Sequence, residues 1–217
     1  MIISHGRRYI FVHIPKTGGT SLAHALEARA MKDDILIGDT PKAKRRKGRL
    51  KGMTSAGRLW KHSTLRDVYG LVNQAQIDDY FCFTLVRNPW DRMVSYYHWL
   101  RDQNFDHPAV GLAKSRGFSD FINHAQTVTT VRRNAYVSYM LDESGKDAAN
   151  AYIRLEHLKA DLEPLQKHLG FALGEIPVEN RSARREAYQS YYTAQDAALI
   201  AEICGPDIDQ FGYRFEP

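Results

Sequence analysis

The sequence predicts an α/β fold, a central parallel β-sheet flanked by helices, on three observations. Two apolar, strand-like runs, at 8–14 and 80–86, each pass into a polar turn and then a helix-forming segment. Both turns carry the cationic and hydroxyl side chains that gather around oxyanions. The 217 residues, 43% of them hydrophobic, suffice for the core of one domain, read here as 1–217.

The first run, Arg8-Tyr-Ile-Phe-Val-His-Ile14, is β-branched and aromatic, and Pro15 marks its end. A helix begins near Thr17 to Gly19 and extends to about Ala30: Leu22, Leu26 and Met31 recur at helical intervals, and Ala23, Ala25 and Ala28 add propensity. Between strand and helix lies Lys16-Thr17-Gly18-Gly19-Thr20-Ser21. Amides at a helix start point at a bound anion, glycines let the backbone approach it, and Lys16 adds a mobile charge. This loop predicts a site for a phosphate-like group.

Residues 38–61 read as a mobile basic loop. Lys42, Lys44, Arg45, Arg46, Lys47, Arg49 and Lys51 crowd one window beside Pro41, Gly48 and Gly52. Like charges repel into solvent, so a solvated face is favoured over a clamp for an acidic substrate, which stays open. Thr64-Leu-Arg-Asp67 then fits a helix start, with Leu65, Val68, Leu71 and Val72 as its apolar stripe, and places His62 just ahead of it.

The second run, Tyr80–Val86, leads into Arg87-Asn-Pro-Trp-Asp91. Asn88 suits an N-cap, Pro89 the first helical position and Asp91 the positive helix end, predicting a helix from Pro89 to about Arg101. Arg87 at the strand edge and Ser95 nearly two turns later could bracket a second phosphate. Taken alone, Arg87 fits the capping of a carboxylate or helix end equally well. Downstream, Arg154 and Glu156 alternate on a strand-like segment, which suggests a buried ion pair. Leu158, Leu162, Leu165 and Leu169 before Gly170 form one helical face, and Ala197, Leu199, Ile200 and Ile203 form another, opened by Thr193-x-x-Asp196. Tyr188, Tyr191 and Tyr192 read as packing rather than a sugar platform.

Thirty basic against 25 acidic residues leave a formal charge of +5, which favours anionic ligands without specifying nucleic acid. Neither a bilayer-length apolar run nor a cleavable leader pattern is evident, so a soluble, cytoplasmic protein is expected. Cys82 and Cys204 have neither metal-ligand nor CxxC spacing and read as buried free thiols.

Two anion sites at strand ends make the predicted domain P-loop-like, yet the order is not that of a nucleotide kinase. In the Walker A pattern the lysine follows the glycines, whereas Lys16 precedes them. A Walker B strand ends in a magnesium-binding aspartate, whereas Arg87 stands here. Protein cations would then neutralise the transferred group without a metal, which suits a sulfuryl group, less charged than a phosphoryl group.

His13-Ile-Pro-Lys-Thr-Gly-Gly-Thr-Ser21 and Phe83-Thr-Leu-Val-Arg-Asn-Pro-Trp-Asp-Arg-Met-Val-Ser95 resemble the two donor-binding signatures of sulfotransferases that use 3′-phosphoadenosine 5′-phosphosulfate (PAPS). The branch most resembled contains the carbohydrate 2-O- and chondroitin-type enzymes and their bacterial relatives. Lys61-His-Ser-Thr64 is similar to its histidine segment. Ile153-Arg-Leu-Glu-His-Leu158 is similar to its arginine-aromatic-glutamate segment, with Leu155 replacing the aromatic. Asn180-Arg-Ser182 with Tyr191-Tyr192 resembles its C-terminal signature. The basic run at 42–51 has no counterpart.

The resemblance implies that Lys16, Thr17, Gly18, Gly19, Thr20 and Ser21 hold the 5′-phosphosulfate, and that Arg87 and Ser95 hold the 3′-phosphate. It implies Lys16 as electrophilic catalyst and promotes His62 to general base, with Glu156 as the competing base and His13 as strand-end architecture. No metal is expected, and the acceptor would be a carbohydrate, an acidic one suiting the basic run. A metal-dependent nucleotide kinase and a non-catalytic nucleotide-binding protein are the alternatives. A nucleic-acid binder would leave both donor motifs unexplained.

Overall fold

The computed structural model describes residues 1–174, 176 and 186–215. Its strands are β1 (Ile2–Ser4), β2 (Tyr9–Val12), β3 (Ile35–Leu36), β4 (Phe81–Val86) and β5 (Ala151–Arg154). The earlier helices are α1 (Gly19–Ala28), α2 (Pro41–Arg46), α3 (Gln74–Asp79), α4 (Pro89–Arg101), α5 (Pro108–Ser115), α6 (Phe118–Asn123) and α7 (Ala125–Arg133). The later ones are α8 (Leu158–Asp161), α9 (Glu163–Leu169), α10 (Ala194–Ile203) and α11 (Gly205–Phe211). The chain falls into two compact units, one of Met1–Val86 with Tyr136–Asn180 and one of Arg87–Ala135 with Arg181–Pro217.

The first unit holds a sheet of order β3-β1-β2-β4-β5. Its core is parallel as expected: β2 pairs with β4, Phe11 opposite Phe83, and β4 with β5, Leu85 opposite Ile153. The other edge is antiparallel, β1 forming a hairpin with β2 and pairing with β3. One face is apolar through Ile2, Tyr9, Phe11, Phe83, Leu85 and Ile153, and Leu22 and Leu26 of α1 and Leu165 of α9 pack in the same cluster. Successive strand residues alternate faces, so Ile10, Cys82 and Thr84 point the other way. There the buried Cys82 thiol donates to the Ile77 carbonyl of α3. Both cysteines are free and buried, as read from the sequence.

Two sequence readings of this unit need correction. The run at 38–61 is not a loop throughout: Thr40 caps α2 by accepting the Ala43 N–H at 3.1 Å, Pro41 occupies its first turn, and a 3-10 turn, Lys47–Leu50, continues it, with irregular chain only after Leu50. Its charges are partly consumed. Lys42 donates to the Glu27 carbonyl at the end of α1, Arg46 to those of Met31 (2.8 Å) and Asp34 (3.3 Å), and Arg49 to that of Lys32. Cations there add a second donor to carbonyls at the negative end of α1 and the chain after it. The helix read from Thr64 is a single 3-10 turn, Arg66–Val68, although Thr64 and Asp67 exchange the expected cap contacts. Gly70 then turns the chain at φ +99°, and α3 begins afresh from the Asn73 capping box.

The second unit is helical. Helix α4 has the predicted bounds, with Asn88 accepting the Trp90 N–H at 3.1 Å and Pro89 in the first turn. Helix α10 opens on the predicted Thr193–Asp196 capping box, and Asp196 also accepts from Ser119 and Asn123 of α6. Tyr191 and Tyr192 set their rings edge-on to Phe118, in keeping with the packing role expected of them. No helix among the described residues is long and apolar enough to cross a membrane.

Candidate active site

The glycine loop leaves the carboxyl end of β2. Thr17 is buried and donates its hydroxyl to the Ile14 carbonyl at 2.9 Å, anchoring the loop to the strand end. Lys16 adopts φ +65° and Gly18 φ +87°. A left-handed non-glycine residue costs about 1–3 kcal/mol and persists where the surroundings impose it. Left-handed residues interspersed along a turn draw backbone N–H groups into a concavity for an anion. Gly18 is the N-cap of α1, so the first amides of that helix follow directly.

Gly18 is required by its left-handed backbone and Gly19 by a close ring. A Cβ on Gly18 would lie 2.8 Å from Leu155 Cδ1, and one on Gly19 would lie 2.5 Å from His13 Nε2 and 2.9 Å from its Cγ. Leu155, just beyond β5, therefore packs on the loop where the resembled signature has an aromatic. His13 has the architectural role expected of it, since its ring lies over Gly19 and stacks on Phe11 at 5.9 Å.

His62 joins the same assembly. Its Nδ1 lies 2.7 Å from the His13 carbonyl. A carbonyl can only accept, so Nδ1 carries the proton and the neutral ring presents Nε2 as its acceptor. The His62 ring stands edge-on to His13 at 4.8 Å and to Trp60 at 5.1 Å. Burial lowers its pKa from 6.5 to about 4, opposed by the His13 hydrogen bond and reinforced by Lys61. Burial likewise holds His13 well below its ordinary value, with positive charges including His62, Lys61 and Lys16 adding to the effect. Both rings are neutral near pH 7.

In the second unit, Arg87 is the residue after Val86 of β4. Its Nε donates to Asp91 Oδ2 at 2.6 Å, and its side chain is 15% exposed. The carboxylate contact left open by the sequence is thus made, and it fixes a forked guanidinium just ahead of α4. Ser95 is buried on the same helix.

The buried Arg154–Glu156 pair is a misreading. Arg154 is held by Asp161, which accepts its Nε at 2.8 Å, its Nη2 at 3.0 Å and its backbone N–H at 2.9 Å. Glu156 sits in a 3-10 turn after β5 and is exposed. The turn Leu155–His157 breaks strand alternation, which the pairing required. Asn180-Arg-Ser182 lies outside the described residues. The structure thus gathers Lys16–Ser21, His13 and His62 within the first unit and sets Arg87 just ahead of α4, and Ser95 on it, in the second. Sequence reasoning missed Trp60, 44% exposed beside His62, and the Leu155–Gly18 contact. A solvent-facing tryptophan two residues before a candidate base was the only local signal for the former.

A family model described as the sulfotransferase family matches residues 1–214. Among solved structures, one similar chain is mouse sulfotransferase SULT7A1 complexed with PAP, at 15% identity and a TM-score of 0.48, over 95% of this chain and 85% of that one. No curated protein matches the sequence.

Proposed function

The chain belongs to the sulfotransferase family, and we propose that it transfers the sulfuryl group of PAPS to a carbohydrate hydroxyl, releasing adenosine 3′,5′-bisphosphate. The observation that carries this reading is the single assembly of anion loop and base: one residue, His13, supports Gly19 with its ring and orients His62 with its carbonyl. The family match runs through both compact units, which supports one catalytic domain.

When bound, the donor supplies an electrophilic sulfur and a phosphate leaving group. The amides from Gly18 to Thr20, the Ser21 hydroxyl and the Lys16 ammonium suit the 5′-phosphosulfate, and Arg87 with Ser95 suits the 3′-phosphate. The loop fits such a group, because Lys16 and Gly18 at positive φ and the helix start at Gly19 bring successive backbone N–H groups into one turn. Lys16 would neutralise charge that grows on the leaving phosphate oxygen. His62, neutral and protonated on Nδ1, would take the acceptor hydroxyl proton on Nε2. Burial makes it a weak base in the free protein, and an anion held nearby would favour the imidazolium and strengthen it.

The test is transfer of labelled sulfate from PAPS to a panel of mono- and disaccharides in the presence of a chelator. Label in product without added metal is expected. Phosphoryl transfer from ATP that requires magnesium, with no use of PAPS, would overturn the reading in favour of a kinase.

A further inference from the structure

The positive charge of the chain comes from one short stretch. Residues 41–53 hold seven of its 30 lysines and arginines and none of its 25 acids, so that elsewhere 23 basic residues face 25 acidic ones. Three of the seven are committed, Lys42, Arg46 and Arg49 donating to backbone carbonyls. Lys44, Arg45, Lys47 and Lys51 are exposed, and their side chains make no hydrogen bond or ion pair among the described residues. Ala43 is the buried residue of α2, so Lys44 and Arg45 turn outward, and the 3-10 turn that follows presents Lys47. Nearby acids do not neutralise them: Asp39 is tied to Lys61 at 2.6 Å, Asp34 is buried, and Asp33 follows Lys32 in the turn after α1. Large apolar side chains flank this cationic ribbon. Met31, 37% exposed, belongs to the turn that Arg46 and Arg49 fasten to the ribbon through the Met31 and Lys32 carbonyls. Met53, 40% exposed, follows the 3-10 turn and donates its N–H to the Leu50 carbonyl at 3.2 Å. Crowded charge of one sign and exposed methionines each cost free energy in the free protein, and a face built only for water needs neither.

We infer that this ribbon docks the protein on an anionic lipid bilayer, with Lys44, Arg45, Lys47 and Lys51 among the headgroups and Met31 and Met53 entering the acyl boundary. A bilayer surface offers negative charge and apolar depth together, whereas a soluble polyanion offers only the charge. The surface lies wholly within the first unit and uses no residue of the candidate active site.

The experiment is co-sedimentation of the full chain with vesicles of phosphatidylcholine, either pure or with about one-third phosphatidylserine. Binding to the anionic vesicles alone, weakened by added salt, is expected. Each cation at such a surface contributes about fivefold, so Lys44→Gln, Arg45→Gln and Lys47→Gln combined should weaken binding about a hundredfold. Because these side chains hold no fold contact among the described residues, the Tm of the triple variant should match that of the parent. Met53→Ser keeps every charge and should weaken binding about threefold or more, since one thioether side chain no longer enters the acyl boundary. No binding to the anionic vesicles, equal binding to both kinds, or undiminished binding by the triple variant or by Met53→Ser would overturn the inference. Retention on heparin or duplex DNA without vesicle binding would assign the ribbon to a soluble polyanion and overturn it as well.

Discussion

Replacing Gly19 by alanine tests the link between the anion loop and the base. The new Cβ would lie 2.5 Å from His13 Nε2 and 2.9 Å from Cγ, against the roughly 3.5–4.0 Å at which carbon contacts are favourable. Either the ring or the start of α1 must retreat by about 1 Å, and overpacking of this kind costs about 1–3 kcal/mol. The helix gains about 0.5–1 kcal/mol back from alanine over glycine. The net loss spans about 0–2.5 kcal/mol, and its centre of about 1 kcal/mol corresponds to a Tm lowered by about 2–4 °C for a chain this long. The functional effect should be larger, because displacement of a reacting group by about 1 Å can cost about a hundredfold in rate. Urea and thermal unfolding give the stability term, and sulfate transfer the rate. Gly48→Ala, where a Cβ meets open space, is the control and should be near neutral. Adding His13→Ala removes the clashing ring, so the double variant should lose less stability than the two single losses combined, with a coupling of about 1 kcal/mol. If Gly19→Ala unfolds like the parent and transfers sulfate at the parent rate, His13 does not tie the loop to the base.

His62→Ala should lower turnover by on the order of a hundredfold or more with bisphosphate affinity largely kept, as befits a general base, and normal turnover would dismiss that role. Because His62 is held at about 4, against 6.5 when unperturbed, the unfolded chain takes up the proton first as pH falls. Its contribution to stability is complete above about pH 6.5 and drains as pH falls toward 4, and His62→Gln should flatten that part of the unfolding profile. For the same reason the acid limb of kcat/KM should lie well below 6.5, and a limb at the ordinary histidine value would contradict the buried geometry. Arg46→Ala, which removes a donor from two carbonyls, should lower stability in urea unfolding by about 0.5–1 kcal/mol, whereas exposed Lys44→Ala should leave it in place. Arg87→Ala should weaken bisphosphate binding by about 10–100-fold with little effect on adenosine monophosphate, measured by calorimetry.

Both strand–turn–helix segments were legible because their signals are local. Pro15 ends a strand, Gly18 opens a helix, and Asn88-Pro89 caps another, each within a few residues of the group it serves. What escaped depends on contacts distant in sequence. The seven cations at 42–51 suggested repulsion, yet Lys42, Arg46 and Arg49 reach carbonyls 12–17 residues back, and Thr40 also donates to the buried carboxylate of Glu27 at 2.7 Å. The Thr40-Pro41 helix start was present locally but outweighed by charge. The antiparallel edge escaped because β1 has three residues and β3 two, too few for periodicity. Helices α5 and α7 are capped by His107 and His124 through Nδ1, a residue type not among the usual cap signals. His62 was named from resemblance. Its tautomer became visible only with the carbonyl of His13, 49 residues earlier.

The most direct test of the donor assignment is calorimetric titration with adenosine 3′,5′-bisphosphate, adenosine monophosphate and ATP, without metal. A phosphate site at Arg87 and Ser95 distinct from the glycine loop predicts that the 3′-phosphorylated ligand binds tightest, by about tenfold or more over adenosine monophosphate. Equal affinities for the bisphosphate and monophosphate, or tighter binding of ATP, would contradict it.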